Sequence, residues 1–141
     1  MNRSASAVWH GGLKDGKGTI STQSGVLADT QYSFGSRFES GIGTNPEELI
    51  AAAHAGCFSM AFSGQLTAAE LTPTSIETTA VVTLEKTDAG FTVTKIHLTT
   101  KATVPGIDEA KFDELATKAK EGCPISRLLK AAEITLDATL V

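Results

Sequence analysis

The sequence predicts an α+β fold, with mostly antiparallel sheets around one long buried central helix, and three observations predict it. The strand-like stretches come in hairpin pairs instead of alternating one by one with helices. One run, Gly43 to Phe62, reads as a helix that is apolar almost all round. The length, 141 residues, is that of one domain spanning 1–141 with a sizeable core.

The elements follow in order. Residues 4–10 and 17–23 read as a hairpin broken by Gly11-Gly12 and the Lys14-Asp15-Gly16 turn. Residues 30–38 alternate, with Tyr32, Phe34 and Phe38 on one face and Arg37 on the other, which predicts a third strand. The central helix then runs from about 45 to 70. Asn45 can cap it, Pro46 suits its first position, and Glu47 and Glu48 sit where the helix dipole favours carboxylates. A helix without a polar face is a buried one. Residues 75–87 alternate as a half-buried strand, and Asp88-Ala89-Gly90 turns the chain back into a strand from Phe91 to about Val104. The apolar phase switches along that return, so a bulge is expected near Thr94 or Lys95. An amphipathic helix over 108–121 places Ile107, Phe112, Leu115 and Ala119 inward, and Gly122 is its expected cap. Cys123-Pro124 opens a short helix to about 131, and a strand over 133–140 closes the chain.

Composition excludes several functions. With 41% hydrophobic and 20% charged residues the chain is globular, and a net charge of −4 without a basic run argues against nucleic acid as a partner. The N-terminus lacks the apolar core of a signal peptide, so a cytoplasmic location is expected. The longest apolar stretch is shorter than the ~20 residues a membrane span needs and is interrupted by His54, so no membrane span is expected. The two cysteines and three histidines show no metal-ligand spacing, so no metal is expected.

The chemistry rests on the cysteines. A cysteine on a buried helix is commonly an inert small hydrophobe. Cys57 has His54 three residues before it as a polar intruder in an apolar run, and Glu47 on the same helix. A thiol reacts as its thiolate, which burial disfavours, so a positive group must lower its pKa. His54 and Arg37 are candidates, and an Arg37–Glu47 pair could hold the guanidinium. Glu47 and Cys57 lie roughly 15 Å apart along one helix at ~1.5 Å per residue. Two copies of the helix packed antiparallel across a dimer axis would bring them together. Cys123, at the start of the next short helix, suits a resolving partner. A pair of this kind can reduce a peroxide through a sulfenic acid and a disulfide that an external dithiol resets.

Two runs, GTNPEELIAAAHAGCFSMAF and GCPISRLLKAAEITLDATL, resemble the OsmC/Ohr family of bacterial peroxidases, and SGVLADTQYSFGSRFE and VPGIDEAKFDELATKAKEGCP fit it too. The resemblance runs nearly end to end and is closest to the OsmC branch. It implies an intertwined homodimer with two sites at the subunit interface. It also implies that Cys57 is the peroxidatic cysteine, Cys123 the resolving one, Arg37 the stabiliser of the thiolate and Glu47 the group that orients Arg37. The implied activity is thiol-dependent reduction of organic hydroperoxides to alcohols, with hydrogen peroxide a poorer substrate and no cofactor. Members of the Ohr branch are recycled by dihydrolipoamide or lipoylated proteins. Gly56 stands where family members often carry Ala. The other reading is a dimer whose apolar cavity binds a ligand while the cysteines are structural. Phe34, Phe38, Phe58 and Phe62 are candidate lining residues for either.

Overall fold

A computed structural model describes all residues, 1–141. The chain forms two compact units, Met1–Leu49 and Ile50–Val141.

In the first unit β1 (Ala5–His10), β2 (Lys17–Thr22) and β3 (Thr30–Ser33) form an antiparallel sheet in that order. Gly18 pairs with Trp9 on one side and Tyr32 on the other. Its missing side chain lets the two rings meet, with centroids 5.2 Å apart. A Cβ on Gly18 would stand 2.3 Å from the Tyr32 ring, so glycine is required at this point in the sheet. The expected strand over 30–38 stops at Ser33 and turns into a short helix, α1 (Phe34–Phe38). Ser33 and Ser36 form a reciprocal capping box: Ser36 N–H donates to Ser33 Oγ at 3.1 Å and Ser33 N–H donates to Ser36 Oγ at 2.8 Å. These local side-chain bonds overrode the strand-like alternation. Arg37 therefore sits in the last turn of a helix and not on a strand.

The long helix α2 (Pro46–Ala68) starts as expected: Asn45 Oδ1 accepts from Glu48 N–H at 2.9 Å, Pro46 is its first residue, and Glu47 and Glu48 lie in its first turn. The expectation that it is buried on every side is corrected. Only the stripe His54, Phe58, Phe62, Leu66 is buried, at the i, i+4 spacing of one helix face. Ala52, Ala53, Gly56 and Gly64 are exposed, as is Met60 at 79%. The bounds of α2 fall close to the expected 45–70; what changes is the reading of its apolar stretch as too short for a membrane. At 23 residues α2 is long and apolar enough to cross a membrane by length and composition alone, a test that the core helix of a soluble protein also passes.

In the second unit β4 (Ser75–Thr87), β5 (Gly90–Thr103) and β6 (Glu133–Leu140) form a sheet in the order β4-β5-β6. The β4–β5 hairpin is antiparallel, and its register skips Thr94 between Thr83↔Lys95 and Leu84↔Val93, the bulge that the apolar phase switch signalled. β6 lies parallel to β5. A parallel neighbour needs a crossover, which α3 (Glu109–Gly122) and α4 (Pro124–Leu128) supply. Three of the four strand pairings are antiparallel. Gly122 is the last residue of α3 and has no left-handed φ, so the junction falls on Cys123 instead. α4 ends at Leu128, short of the expected 131. The core joins Phe58, Phe62 and Leu66 of α2 to Leu98 and Ala102 of β5 and to Phe112, Leu115 and Ala119 of α3. Phe112 meets Phe62 edge-on at 5.2 Å.

Candidate active site

The candidate side chains singled out in the sequence fall into two groups, one in each unit. In the second unit, Cys57 lies in the middle of α2, and Cys123 joins α3 to α4. Both are free thiols, with Cys123 Sγ 2.7 Å from Cys57 Sγ. Cys123 is the C-cap of α3, donating its N–H to Ala119 O at 2.9 Å, and Pro124 behind it fixes the turn into α4. Cys123 is fully buried and Cys57 is half-buried, so Cys57 is the thiol that a solute can reach. Burial pushes the Cys57 thiol above its ordinary 9.0, the Cys123 contact adds to that push, and a hydrogen bond from the Ile125 backbone amide opposes it. These influences come from burial, Cys123 and Ile125, none of them a cation, so the charge that would activate the sulfur has to come from outside them.

One turn before Cys57, His54 is fully buried, and its Nε2 lies 2.7 Å from Ser126 Oγ of α4. His54 Nδ1 is buried without a partner. A neutral ring that places its proton on Nε2 donates to Ser126 and leaves only a bare acceptor at Nδ1. The other tautomer would bury an unsatisfied N–H, so the Nε2–H form is the one that fits. Burial pushes the His54 pKa below its ordinary 6.5. The unfolded chain therefore takes up this proton before the folded one does. The His54 contribution to stability is complete above pH 6.5 and is lost progressively as pH falls from 6.5 toward the lower folded-state value. Urea unfolding at a series of pH values is expected to show the midpoint dropping on acidification below that point. His54→Leu should flatten the drop, and an equally steep drop in the variant would assign the acid sensitivity to other groups.

In the first unit, Arg37 and Glu47 form a fork. Arg37 Nη2 donates to Glu47 Oε1 at 2.7 Å, and Nε lies 3.2 Å from each carboxylate oxygen. Glu47 is 14% exposed and Arg37 37%, so the pair is only partly screened by water. The loop that sets it is tightly determined. Asn45 Nδ2 donates to Ser36 O at 3.1 Å, Thr44 N–H donates to Gln31 O at 2.8 Å, and Ser36 Oγ donates to Thr44 O at 2.8 Å. Gly43 takes φ +125°, and a Cβ there would stand 2.4 Å from Gln31 O, so glycine is what lets the loop close. The guanidinium also sits 5.1 Å from the Phe38 ring centroid. Beside it is a cavity of about 320 Å³ whose walls include Trp9, Tyr32, Phe34, Phe38, Pro46 and Arg37 itself.

Of the residues singled out in the sequence, Cys57 and Cys123 come together, as do Arg37 and Glu47. Phe34 and Phe38 line a cavity, whereas Phe58 and Phe62 are core. Ser126 and the Ile125 amide were missed. Ser126 lies 72 residues from His54, and nothing local marks it. Trp9 and Tyr32 were missed as cavity walls, although their common pairing with Gly18 is a signal that a hairpin register could have supplied.

A family model described as OsmC-like protein matches residues 39–138. The chain is 58% identical to the peroxiredoxin OsmC of Escherichia coli over 140 residues, covering 99% of this chain and 97% of that protein. It is also similar to a crystal structure of an organic hydroperoxide resistance protein OsmC from Legionella pneumophila, with TM-score 0.72, 26% identity and 96% of each chain covered.

Proposed function

The chain belongs to the OsmC-like family, and from that membership we propose that it is a thiol-dependent peroxidase reducing organic hydroperoxides to alcohols. The observation that carries the mechanism is the 2.7 Å separation of the Cys57 and Cys123 sulfurs. The Cys57 thiolate attacks the outer peroxide oxygen, the O–O bond breaks, and the alkoxide takes a proton and leaves as the alcohol. Cys57 is then a sulfenic acid. The Cys123 thiol attacks that sulfur, water leaves, and a Cys57–Cys123 disulfide remains. An external dithiol of the dihydrolipoamide or lipoylated-protein class returns both thiols by exchange.

Arg37, held in its fork by Glu47, supplies the positive charge that favours the Cys57 thiolate and draws in the peroxide oxygens. The aromatic cavity beside Arg37 fits the alkyl or aryl part of the substrate, which is why organic hydroperoxides are preferred over hydrogen peroxide. The working form is a homodimer. What supports it is the exposed stripe Ala52, Gly56, Met60 and Gly64 on α2, an apolar face of small residues that suits an isologous contact with a second copy. Light scattering on the unsubstituted protein is expected to give the mass of two chains, and Met60→Glu, which sets a charge in that contact, the mass of one. A dimer that survives Met60→Glu would place the contact elsewhere. The protein acts in the cytoplasm, whose reducing pool keeps the pair as thiols between turnovers.

Turnover with cumene hydroperoxide and dihydrolipoamide tests the cycle. Cys123→Ser is expected to stall after one equivalent of peroxide has made the Cys57 sulfenic acid, which a second equivalent then carries on to sulfinic acid. Sustained dithiol-driven turnover by Cys123→Ser, at the rate of the unsubstituted protein, would remove Cys123 from the cycle.

A further inference from the structure

Two rungs join α2 to the segment that starts at Cys123. Cys57 faces Cys123 at 2.7 Å, and three residues away on each side His54 faces Ser126 at 2.7 Å. Between the rungs the Ile125 backbone amide hydrogen-bonds the Cys57 sulfur. His54 and Cys123 are fully buried and Ser126 nearly so, at 4% exposed.

α4 is only five residues long. Such a turn is not stable by itself, and what it is tethered to decides where it sits. Its backbone offers Arg127 N–H to Cys123 O at 3.0 Å and Leu129 N–H to Ile125 O at 2.9 Å, both internal to the segment. The sulfur rung changes during the reaction, because the Cys57 sulfur gains an oxygen and then loses it. The His54–Ser126 rung takes no part in the chemistry and can hold throughout. A leucine would fill the His54 site without burying a bare Nδ1, so the imidazole carries a cost that an apolar residue would avoid.

We propose that the His54–Ser126 hydrogen bond is a positioning clamp that keeps Cys123 and the Ile125 amide facing Cys57 and so sets how fast the Cys57 sulfenic acid closes to a disulfide. The kinetic consequence rests on the peroxidase reading above; the placement of the sulfurs does not. Closure joins Cys57–SOH and Cys123–SH to a disulfide and water. It competes with a second hydroperoxide, which oxidises Cys57–SOH to the sulfinic acid and leaves as alcohol. Loosening the clamp shifts the competition toward sulfinate.

Ser126→Ala and the double variant His54→Leu/Ser126→Ala test this. The double variant leaves no buried polar atom of the pair unpaired, so it is expected to fold about as well as the unsubstituted protein. Reduced proteins are mixed with rising cumene hydroperoxide, and intact mass after thiol blocking reads the ratio of disulfide to sulfinate. Both variants are expected to close roughly tenfold more slowly, the equivalent of one net hydrogen bond, with sulfinate appearing at correspondingly lower peroxide. Ser126→Thr, which keeps the hydroxyl, is expected to recover most of the closure rate. The core variant Phe112→Leu lowers the melting temperature and is expected to leave the ratio unchanged, which separates positioning from general stability. Equilibration in glutathione redox buffer gives a readout that needs no peroxidase activity: the effective concentration of Cys123 at Cys57 should fall by the same factor in both variants. An unchanged disulfide-to-sulfinate ratio, or an unchanged effective concentration, in the folded double variant would overturn the clamp. Failure of the unsubstituted protein to react with peroxide, with the glutathione result as expected, would overturn only the peroxidase reading.

Discussion

Cys57→Ser is expected to abolish hydroperoxide reduction, leaving only the uncatalysed background. A serine hydroxyl has no accessible oxidation state for the sulfenic step, and Cys123, being fully buried, cannot take over the attack. The substitution removes a sulfur from a half-buried helix position and replaces it with a smaller polar atom, so the fold and the free Cys123 thiol should both persist. The check is peroxide consumption under single-turnover conditions, beside circular dichroism and a count of one remaining thiol. A Cys57→Ser protein that still reduced cumene hydroperoxide would move the reactive sulfur to Cys123 and reverse the two roles.

Arg37→Ala is expected to have the next largest effect. The Cys57 thiol is pushed up by burial and by Cys123, with only the Ile125 amide pulling it down. At neutral pH such a sulfur is almost wholly protonated and nearly inert. The proposed mechanism therefore depends on the guanidinium that the Glu47 fork holds. Removing a preorganised charge or donor of this kind costs roughly a hundredfold or more in rate. Arg37→Ala should slow the oxidation of Cys57 by that order and move its pH–rate profile to higher pH, since the thiolate then forms only in more alkaline solution. Arg37→Lys keeps the charge and loses the fork, so it should recover part of the rate. Glu47→Gln should lie between the two. Stopped-flow oxidation of the reduced protein as a function of pH measures both the rate and the shift. An unchanged profile in Arg37→Ala would mean that another group activates the sulfur.

Where the sequence was a good guide, the signal was local. The start of α2 followed from Asn45, Pro46, Glu47 and Glu48, which act within one turn. The β5 bulge followed from a phase switch within one strand. The reading failed where distant or reciprocal contacts decide. Ser33 and Ser36 cap each other and cut the third strand short, although Tyr32, Phe34 and Phe38 alternate as a strand should. β6 alternates equally well whether its neighbour runs parallel or antiparallel, so its direction was not legible from its own residues. The composition of α2 showed that it is apolar but not which face its own chain covers; Phe58 and Phe62 turn inward, and Met60 between them turns out. Among the candidate residues, Cys57, Cys123, Arg37 and Glu47 stand out by type and motif, whereas Ser126 is an ordinary serine until the fold sets it against a buried imidazole.

The central claim is a two-cysteine organic hydroperoxide reductase. Titration of free thiols in the reduced protein, before and after one equivalent of cumene hydroperoxide and again with hydrogen peroxide, tests it most directly. Both thiols are expected to disappear with the organic peroxide, and faster than with hydrogen peroxide. Retention of both thiols with the organic peroxide and with hydrogen peroxide alike would contradict the claim, leave Cys57 and Cys123 as structural cysteines, and make the aromatic cavity beside Arg37 a binding site for an apolar ligand.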